Sequence, residues 1–256
     1  MNPEQMPPVG TTGISDTIAL VLAAGIGKRM GTDLPKVLLP FHGRPMVQWV
    51  VESAEAAGIQ RVIVVVGHKG ELVIEALKGY AVEFVWQREQ LGTGHAVMQA
   101  VDSIKAHLGP LLVLLGDVPG LRPKTIQRLI ETHVSRNASA TILTAMLADP
   151  TGYGRIVRGP NDTVTAIVED RDAVGKIKSI KEINTGLICF STPQLIRTLG
   201  ELRRDNSQGE YYLTDCVKLL VDCGLGVFGH PAENPHEAAG VNTPTQLNEL
   251  ERLINP

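Results

Sequence analysis

The chain alternates short, wholly apolar runs with longer stretches in which apolar residues recur at helical spacing. Ile18-Ala19-Leu20-Val21-Leu22, Arg61-Val62-Ile63-Val64-Val65-Val66, Val82 to Trp86 and Leu111 to Leu115 are too short for helices and show no alternation. Each predicts a strand buried on both faces. Between them, Val47, Val50, Val51 and Ala54 share one helical face, with Pro45 placed to start that helix and Gly58 to end it. Leu72, Ile74 and Leu77 predict a short helix, and Ile126, Leu129, Ile130 and His133 a longer one. Ala96, Val97, Ala100, Val101 and Ile104 predict another, with Thr93 as its cap. Strand and helix in alternation predict an α/β fold: a Rossmann-like, mostly parallel sheet with helices on both faces.

Past Thr141 to Ala145, read as a fifth strand, the rhythm changes. Residues 148–190 hold short strand-like runs around turns: Arg155-Ile156-Val157, Val164 to Val168 ending in Glu169, and Ile183 to Ile188. They predict a small antiparallel insertion that packs beside the main sheet and walls a cleft. Helical patterning returns over Pro193 to Leu202 and from Tyr211 through Val221. In the last helix Thr243 is the expected N-cap, Pro244 the first helical residue and Gln246 the side chain reaching back. Asn242 then sits just ahead of a helix, its side-chain oxygen free to face a ligand. Residues 1–16, with Pro3, Pro7, Pro8, Gly10 and Gly13, read as a mobile tail, leaving 17–256 as one domain.

Composition changes this picture little. With 256 residues, 43% of them hydrophobic, the chain can bury a large core, and a net charge of −3 gives no electrostatic reason to expect nucleic acid or membrane. The three cysteines, Cys189, Cys216 and Cys223, lack metal-ligand spacing, so reduced thiols in the cytoplasm are expected. No apolar run reaches the roughly 18 residues of a spanning helix. A monomer or weak oligomer is expected.

Candidate chemistry gathers where strands end. The first strand leads into Leu22-Ala-Ala-Gly-Ile-Gly-Lys-Arg-Met-Gly-Thr-Asp-Leu-Pro-Lys36, which combines turning glycines with the cations Lys28, Arg29 and Lys36. That suits a polyphosphate. It is not a P-loop, because Arg29 follows Lys28 where a hydroxyl is needed. Nor is it a dinucleotide fingerprint: its glycines fall at 25, 27 and 31, and the second strand ends in Val66-Gly67-His68 without an acidic residue. After the third strand comes Gln87-Arg88-Glu89-Gln90-Leu91-Gly92-Thr93-Gly94-His95, where Gln87 offers a donor and an acceptor to a pyrimidine edge. After the fourth comes Gly116-Asp117-Val118-Pro119, whose aspartate is a hard oxygen ligand for magnesium.

The first of these loops, Leu-Ala-Ala-Gly-x-Gly-x-Arg-Met followed by Leu-Pro-Lys, resembles the opening motif of nucleotidyltransferases that join a nucleoside triphosphate to a sugar 1-phosphate. Gln-Leu-Gly-Thr-Gly-His-Ala, Gly-Asp-Val-Pro, Asp-Pro-Thr-Gly-Tyr-Gly-Arg-Ile, Ile-Val-Glu, Glu-Ile-Asn-Thr-Gly, Gln-Gly-Glu-Tyr-Tyr-Leu-Thr-Asp and Gly-Val-Asn then follow in order. Together they resemble the uridylyltransferase domain of bacterial UDP-N-acetylglucosamine pyrophosphorylases over nearly the whole chain from residue 18.

The resemblance implies nucleotide contacts at Leu22, Ala24, Gly25, Gln87 and Gly92. It implies catalytic contacts to the triphosphate from Arg29 and Lys36, and Mg2+ at Asp117 and Asn242. For the amino sugar it implies Thr93, Gly154, Glu169, Asn184, Tyr212 and Thr214. The implied substrates are UTP and a sugar 1-phosphate, the alternatives being CTP, an acceptor built on N-acetylmuramate or glucose, or a non-catalytic sensor of nucleotide sugars. Leu115 stands where the family carries tyrosine and Gly120 where it carries leucine, changes expected to reshape the sugar side. The signature loop also departs, with Ile26 and Lys28 where the family usually reads lysine and threonine. Bifunctional members continue into a hexapeptide-repeat β-helix. That repeat is absent from these residues, so neither acetyltransferase activity nor the associated trimer is expected.

Overall fold

The computed structural model describes residues 13–25, 27, 32–206 and 208–254. In chain order its elements are β1 (Ile18–Ala23), β2 (Pro40–Phe41), β3 (Arg44–Pro45), α1 (Met46–Ala56), β4 (Arg61–Val66), α2 (Gly70–Ala76) and β5 (Val82–Trp86). Then come α3 (Thr93–Gln99), α4 (Val101–Ile104), β6 (Pro110–Leu115), α5 (Pro123–Ser135), β7 (Ala140–Met146), β8 (Arg155–Arg158), β9 (Val164–Val168) and α6 (Gly175–Lys178). The chain closes with β10 (Glu182–Ser191), α7 (Thr192–Leu199), α8 (Leu213–Asp222), β11 (Val227–Pro231) and α9 (Pro244–Leu253).

The apolar runs do form the buried centre of a sheet, ordered β11-β7-β10-β6-β1-β4-β5. β1 lies between β4 and β6 and is parallel to both, and β5 extends the parallel half. Successive residues of β1 serve opposite cores. Ala19, Val21 and Ala23 face α1, α2 and α5, while Ile18 and Leu20 face α3, α4, α7 and α8. Both faces are therefore covered, and the residues of β1 and β6 are buried except the half-buried Leu22 and Leu115, which is why these runs carry no polar alternation. From β1 the chain passes to β4 and β5 on one side and then crosses to β6 on the other. The connections thus diverge at the carboxyl ends of β1 and β6, where an open α/β sheet forms a crevice.

Of the expected mobile tail, residues 1–12 lie outside the described residues, whereas Ile14–Asp16 form a short 3-10 turn and Ile14 packs against the core. Three further features depart from the sequence expectation. The run around Ile183 to Ile188 does not stay within the insertion: it continues as β10 between β6 and β7, antiparallel to both. Only the hairpin of β8 and β9 remains beside the main sheet, hung on β10 at Ile183 and Arg155. The edge strand β11 went unread, because Gly229, His230 and Pro231 break its apolar pattern. Thr93 does not cap its own helix. Gly92 holds that position, and the Thr93 hydroxyl instead accepts the Leu213 N–H at the start of α8, at 3.1 Å.

A smaller apolar cluster of Phe41, Met46, Val241, Leu250 and Ile254 ties α9 to the β2–β3 hairpin. It matters to the site because it brings the segment before α9 back across the sheet.

Candidate functional site

Three parallel strands deliver their following residues to one end of the sheet. β1 leads to Ala24 and Gly25, β5 to Gln87, and β6 to Gly116 and Asp117. The turn after β6 is held against β1 by a Gly116 N–H to Leu22 carbonyl bond of 2.9 Å, and Gln87 is held against β4 by its own N–H bonded to the Val66 carbonyl at 2.8 Å. These residues enclose a cavity of about 500 Å³ lined by Leu22, Ala24, Gly25, Gln87, Gly92 and Lys36, among others. All five residues expected to contact nucleotide meet here. Gln87 is only 4% exposed, and its Nε2 donates to the Gly92 carbonyl at 3.1 Å and lies 3.1 Å from His95 Nδ1. The amide thus shapes the loop as well as facing the cavity.

The loop that follows is stitched to the start of α8. The Tyr211 N–H donates to the Leu91 carbonyl at 2.8 Å, and the Gly94 N–H donates to the Tyr211 carbonyl at 2.8 Å. Gly92 has φ +106° and a Cβ there would lie 2.5 Å from the Tyr211 carbonyl oxygen, so both conformation and contact require glycine. This stitching brings Thr93 beside Tyr212 and Thr214. They line a second cavity of about 760 Å³ together with Glu169 and Asn184. Leu22, Thr93 and Leu115 line both cavities, which therefore form one continuous cleft.

The residues expected at the sugar come from distant elements. Glu169 follows β9. Asn184 sits at a register shift in β10, its Oδ1 accepting the Gly186 N–H at 2.9 Å and its backbone N–H bonded to the Gly154 carbonyl at 2.8 Å. Gly154 does not line the cavity itself but stands behind Glu169 and Asn184; a Cβ there would lie 3.5 Å from Glu169 Oε1. Burial, followed by the nearby carboxylates of Asp172, Asp215 and Asp170, raises the Glu169 carboxyl above its ordinary value. Burial likewise raises Asp215 and Tyr212. Asp170 is held low, first by a backbone hydrogen bond from Gly152 and then by the Arg155 guanidinium, whose Nη2 lies 2.7 Å from its Oδ1.

Asp170, Arg171, Asp172 and Asp205 also line this cavity and were not singled out from sequence, although Glu169-Asp-Arg-Asp172 reads plainly as an acidic loop leaving a strand. Glu210 and Gln90 line the first cavity and were likewise missed as contacts. Leu115 packs toward Gly186, where a Cβ would lie 2.9 Å from Leu115 Cδ1. Gly120 is a correction. It lies not on the sugar side but against Ile254, in a separate hollow lined by Phe41 and Trp49.

Asp117 and Asn242 meet at the mouth of the first cavity. A bond of 2.9 Å from the Val241 N–H to the Asp117 carbonyl joins their backbones, and Gln246 Oε1 accepts the Asn242 N–H at 2.8 Å. Thr243 caps α9 as expected, accepting the Gln246 N–H at 3.2 Å. The Asn242 oxygen is not free, however. Lys36 Nζ donates to Asn242 Oδ1 at 3.0 Å and forms an ion pair with Asp117 Oδ2. One ammonium thus holds the two oxygens expected to bind metal. Arg29, Lys28 and Ile26 lie outside the described residues. Among the described residues no group of three or more histidine, cysteine, aspartate or glutamate side chains is placed to hold a metal.

Comparison with known proteins matches residues 19–207 to the MobA-like NTP transferase domain. Curated relatives include the bifunctional protein GlmU of Caldanaerobacter subterraneus subsp. tengcongensis, 44% identical over 241 residues covering 94% of this chain and 52% of that protein. The bifunctional protein GlmU of Burkholderia orbicola is 48% identical over 234 residues, covering 91% of this chain and 51% of its own length. The chain therefore spans about half the length of the curated relatives it matches. Among solved structures, a UDP-glucose pyrophosphorylase complexed with UDP-glucose superposes with a TM-score of 0.77 at 18% identity, over 93% of this chain and 97% of the other. At that identity the likeness concerns the fold.

Proposed function

Because the chain belongs to the MobA-like NTP transferase domain family, we propose that it joins UTP and N-acetylglucosamine 1-phosphate to give UDP-N-acetylglucosamine and pyrophosphate. The observation that carries this reading is the convergence of Asp117 and Asn242 on a single cation, the Lys36 ammonium, at the opening of a cleft made of two continuous cavities. The first takes the uridine and triphosphate, against Leu22, Ala24, Gly25, Gln87 and Gly92. The second takes the amino sugar, against Thr93, Glu169, Asn184, Tyr212 and Thr214, with Gly154 behind them. In this reading residues 17–256 act as one cytoplasmic nucleotidyltransferase unit, and β8–β9 with the loop after it walls the acceptor side. No described helix is long and apolar enough to cross a membrane.

An oxygen of the acceptor phosphate attacks the α-phosphorus of UTP; that O–P bond forms as the bond from the α-phosphorus to the bridging oxygen breaks, and pyrophosphate leaves on the opposite side. The attacking oxygen is already ionised, so no general base is needed. The protein's task is to position both substrates and offset charge. Lys36 and Arg29 neutralise charge on the leaving pyrophosphate. The fit of a metal rests on the donor set: two hard oxygens already drawn to one cation, with no third acidic ligand. Such a pair leaves coordination positions for phosphate oxygens and water, as magnesium usually requires. Magnesium held there supplies charge neutralisation at the phosphates.

The acceptor cavity favours a neutral sugar. Glu169, Asp170, Asp172 and Asp205 line it against the single cation Arg171, so a lactyl carboxylate such as that of N-acetylmuramate would meet an excess of like charge. Leu115, lacking the hydroxyl of a tyrosine, keeps glucose 1-phosphate open as a second acceptor. The test is pyrophosphate release from UTP and magnesium with each sugar phosphate in turn. N-acetylglucosamine 1-phosphate should be the best acceptor, and Asp117→Ala should lower its rate roughly a hundredfold to a thousandfold. Faster release with glucose 1-phosphate would move the acceptor, and no release with any acceptor while UTP still binds would remove the enzyme reading in favour of a sensor.

A further inference from the structure

Lys36 stands where a divalent cation would have to stand. Its ammonium contacts Asp117 Oδ2 and lies 3.0 Å from Asn242 Oδ1. Magnesium needs its oxygens at about 2.0–2.1 Å, so the pair cannot serve both cations at once. The charges agree with the geometry. Asp117 contributes one negative charge, Lys36 one positive, and Asn242 none, so the trio is neutral as it stands. A divalent cation arriving alone gains only what it can take from a carboxylate already paired.

Of the three residues, Lys36 is the one able to leave. The main chain beneath the two oxygen donors is held in place, by Val241 N–H to the Asp117 carbonyl at 2.9 Å and by Asn242 N–H to the side-chain Gln246 Oε1 at 2.8 Å, and their side chains are short. Lys36 has a flexible four-carbon stem and already lines the cavity assigned to the triphosphate. Its backbone opens a one-turn segment, Lys36–Leu38, and its Cβ faces Gly27 so closely that a Cβ on that glycine would lie 2.7 Å away. Gly27 and Lys36 thus lie close together on the wall of one cavity, so a phosphate seated against Gly25 and Gly27 lies within the reach of this ammonium.

We propose that Lys36 is a resident counter-ion that keeps divalent cations off Asp117 and Asn242 in the free protein, and that the nucleotide's phosphates draw it away. The metal then binds tightly only with or after the nucleotide, and weakly before it. The inference rests on the proposed function only in taking Asp117 and Asn242 as the cation pair. It assigns Lys36 two alternating partners, the carboxylate and the phosphates, and it sets the order of binding.

The test is Mn2+ binding followed by electron paramagnetic resonance, on the whole chain, with and without UTP. Wild type should bind Mn2+ weakly alone and tightly with UTP. Lys36→Met should bind Mn2+ alone roughly tenfold tighter than wild type, and the gain from adding UTP should shrink. Lys36→Arg keeps a cation in place, so it should remain as weak as wild type without nucleotide. Adding Asp117→Asn to Lys36→Met should abolish the gain. The proposal is overturned if Lys36→Met binds Mn2+ no better than wild type although Asp117→Asn removes the UTP-dependent binding. If Asp117→Asn leaves the UTP-dependent binding intact, the assignment of the cation pair has failed and the inference goes with it.

Discussion

Two glycines of the signature loop make opposite demands, which lets conformation be separated from ligand contact. Gly27 has φ +66°, and a Cβ there would sit 2.7 Å from Lys36 Cβ, an atom too close to the main chain to swing aside. Gly27→Ala therefore meets both left-handed strain, about 1–2 kcal/mol, and a collision that pushes on Lys36. Gly25 has open space in front of it. Gly25→Ala should fold with wild-type stability and lose UTP affinity only through contact with the nucleotide. Steady-state kinetics should show a UTP KM raised about tenfold or more for Gly27→Ala, accompanied by a lowered Tm. For Gly25→Ala the KM should rise without the change in Tm. An unchanged UTP KM in both variants would remove the loop from the nucleotide site.

At the scale of elements, what the sequence made legible was whatever depends on local pattern. The central strands announced themselves because both their faces are buried, and Thr243-Pro244 marked the start of α9 because a cap is a local hydrogen bond. What depended on distant partners stayed hidden. Nothing near Ile183 shows that β10 inserts between β6 and β7, and β11 has a strand partner, β7, along one edge and a single bridge from Phe228 to Thr163 on the other, with a proline in it. The site followed the same division. Lys36, Asp117 and Asn242 could each be picked out by motif, but the ammonium lies against both oxygens only because the fold brings the segments around residues 117 and 242 together, as the backbone bond between residues 117 and 241 marks. Thr93 was read as the cap of the wrong helix for the same reason, since its partner Leu213 is remote in the chain. That partner makes a prediction. Thr93→Val keeps the shape and removes the acceptor for the α8 N–H. It should cost about 1 kcal/mol, as loss of a helix cap does, and lower the Tm by about 2–4 °C. Because Tyr212 and Thr214 sit at that helix start, the KM for the sugar phosphate should rise more than that for UTP, and Thr93→Ser should restore both. Equal KM values in the Val variant would mean that α8 does not depend on this bond.

At the scale of the whole molecule, the titration of His133 is dictated by the fold and not by the site. His133 on α5 is fully buried in the layer beneath the sheet, with Nδ1 3.1 Å from Thr141 Oγ1 and Nε2 without a partner among the described residues. Burial holds its imidazole down from 6.5 to about 4. In the unfolded chain the same ring takes a proton near its ordinary value. Between about pH 6.5 and pH 4 the unfolded state therefore binds more protons than the folded one, so stability falls as pH falls through this window. Below it the full loss is on the order of 3 kcal/mol. Glu169 and Asp215 act with the opposite sign, because burial raises their carboxyls and the folded state holds those protons longer. A comparison of variants cancels their part. His133→Gln retains a polar partner for Thr141 and cannot titrate. Its Tm should exceed that of wild type increasingly as pH is lowered from 6.5 toward 4, whereas above pH 7 the difference should be constant. Parallel Tm curves for the two proteins across that whole range would show that His133 enters the core already protonated or accompanied by a proton acceptor, and the acid sensitivity of the fold would have to be sought among its carboxylates.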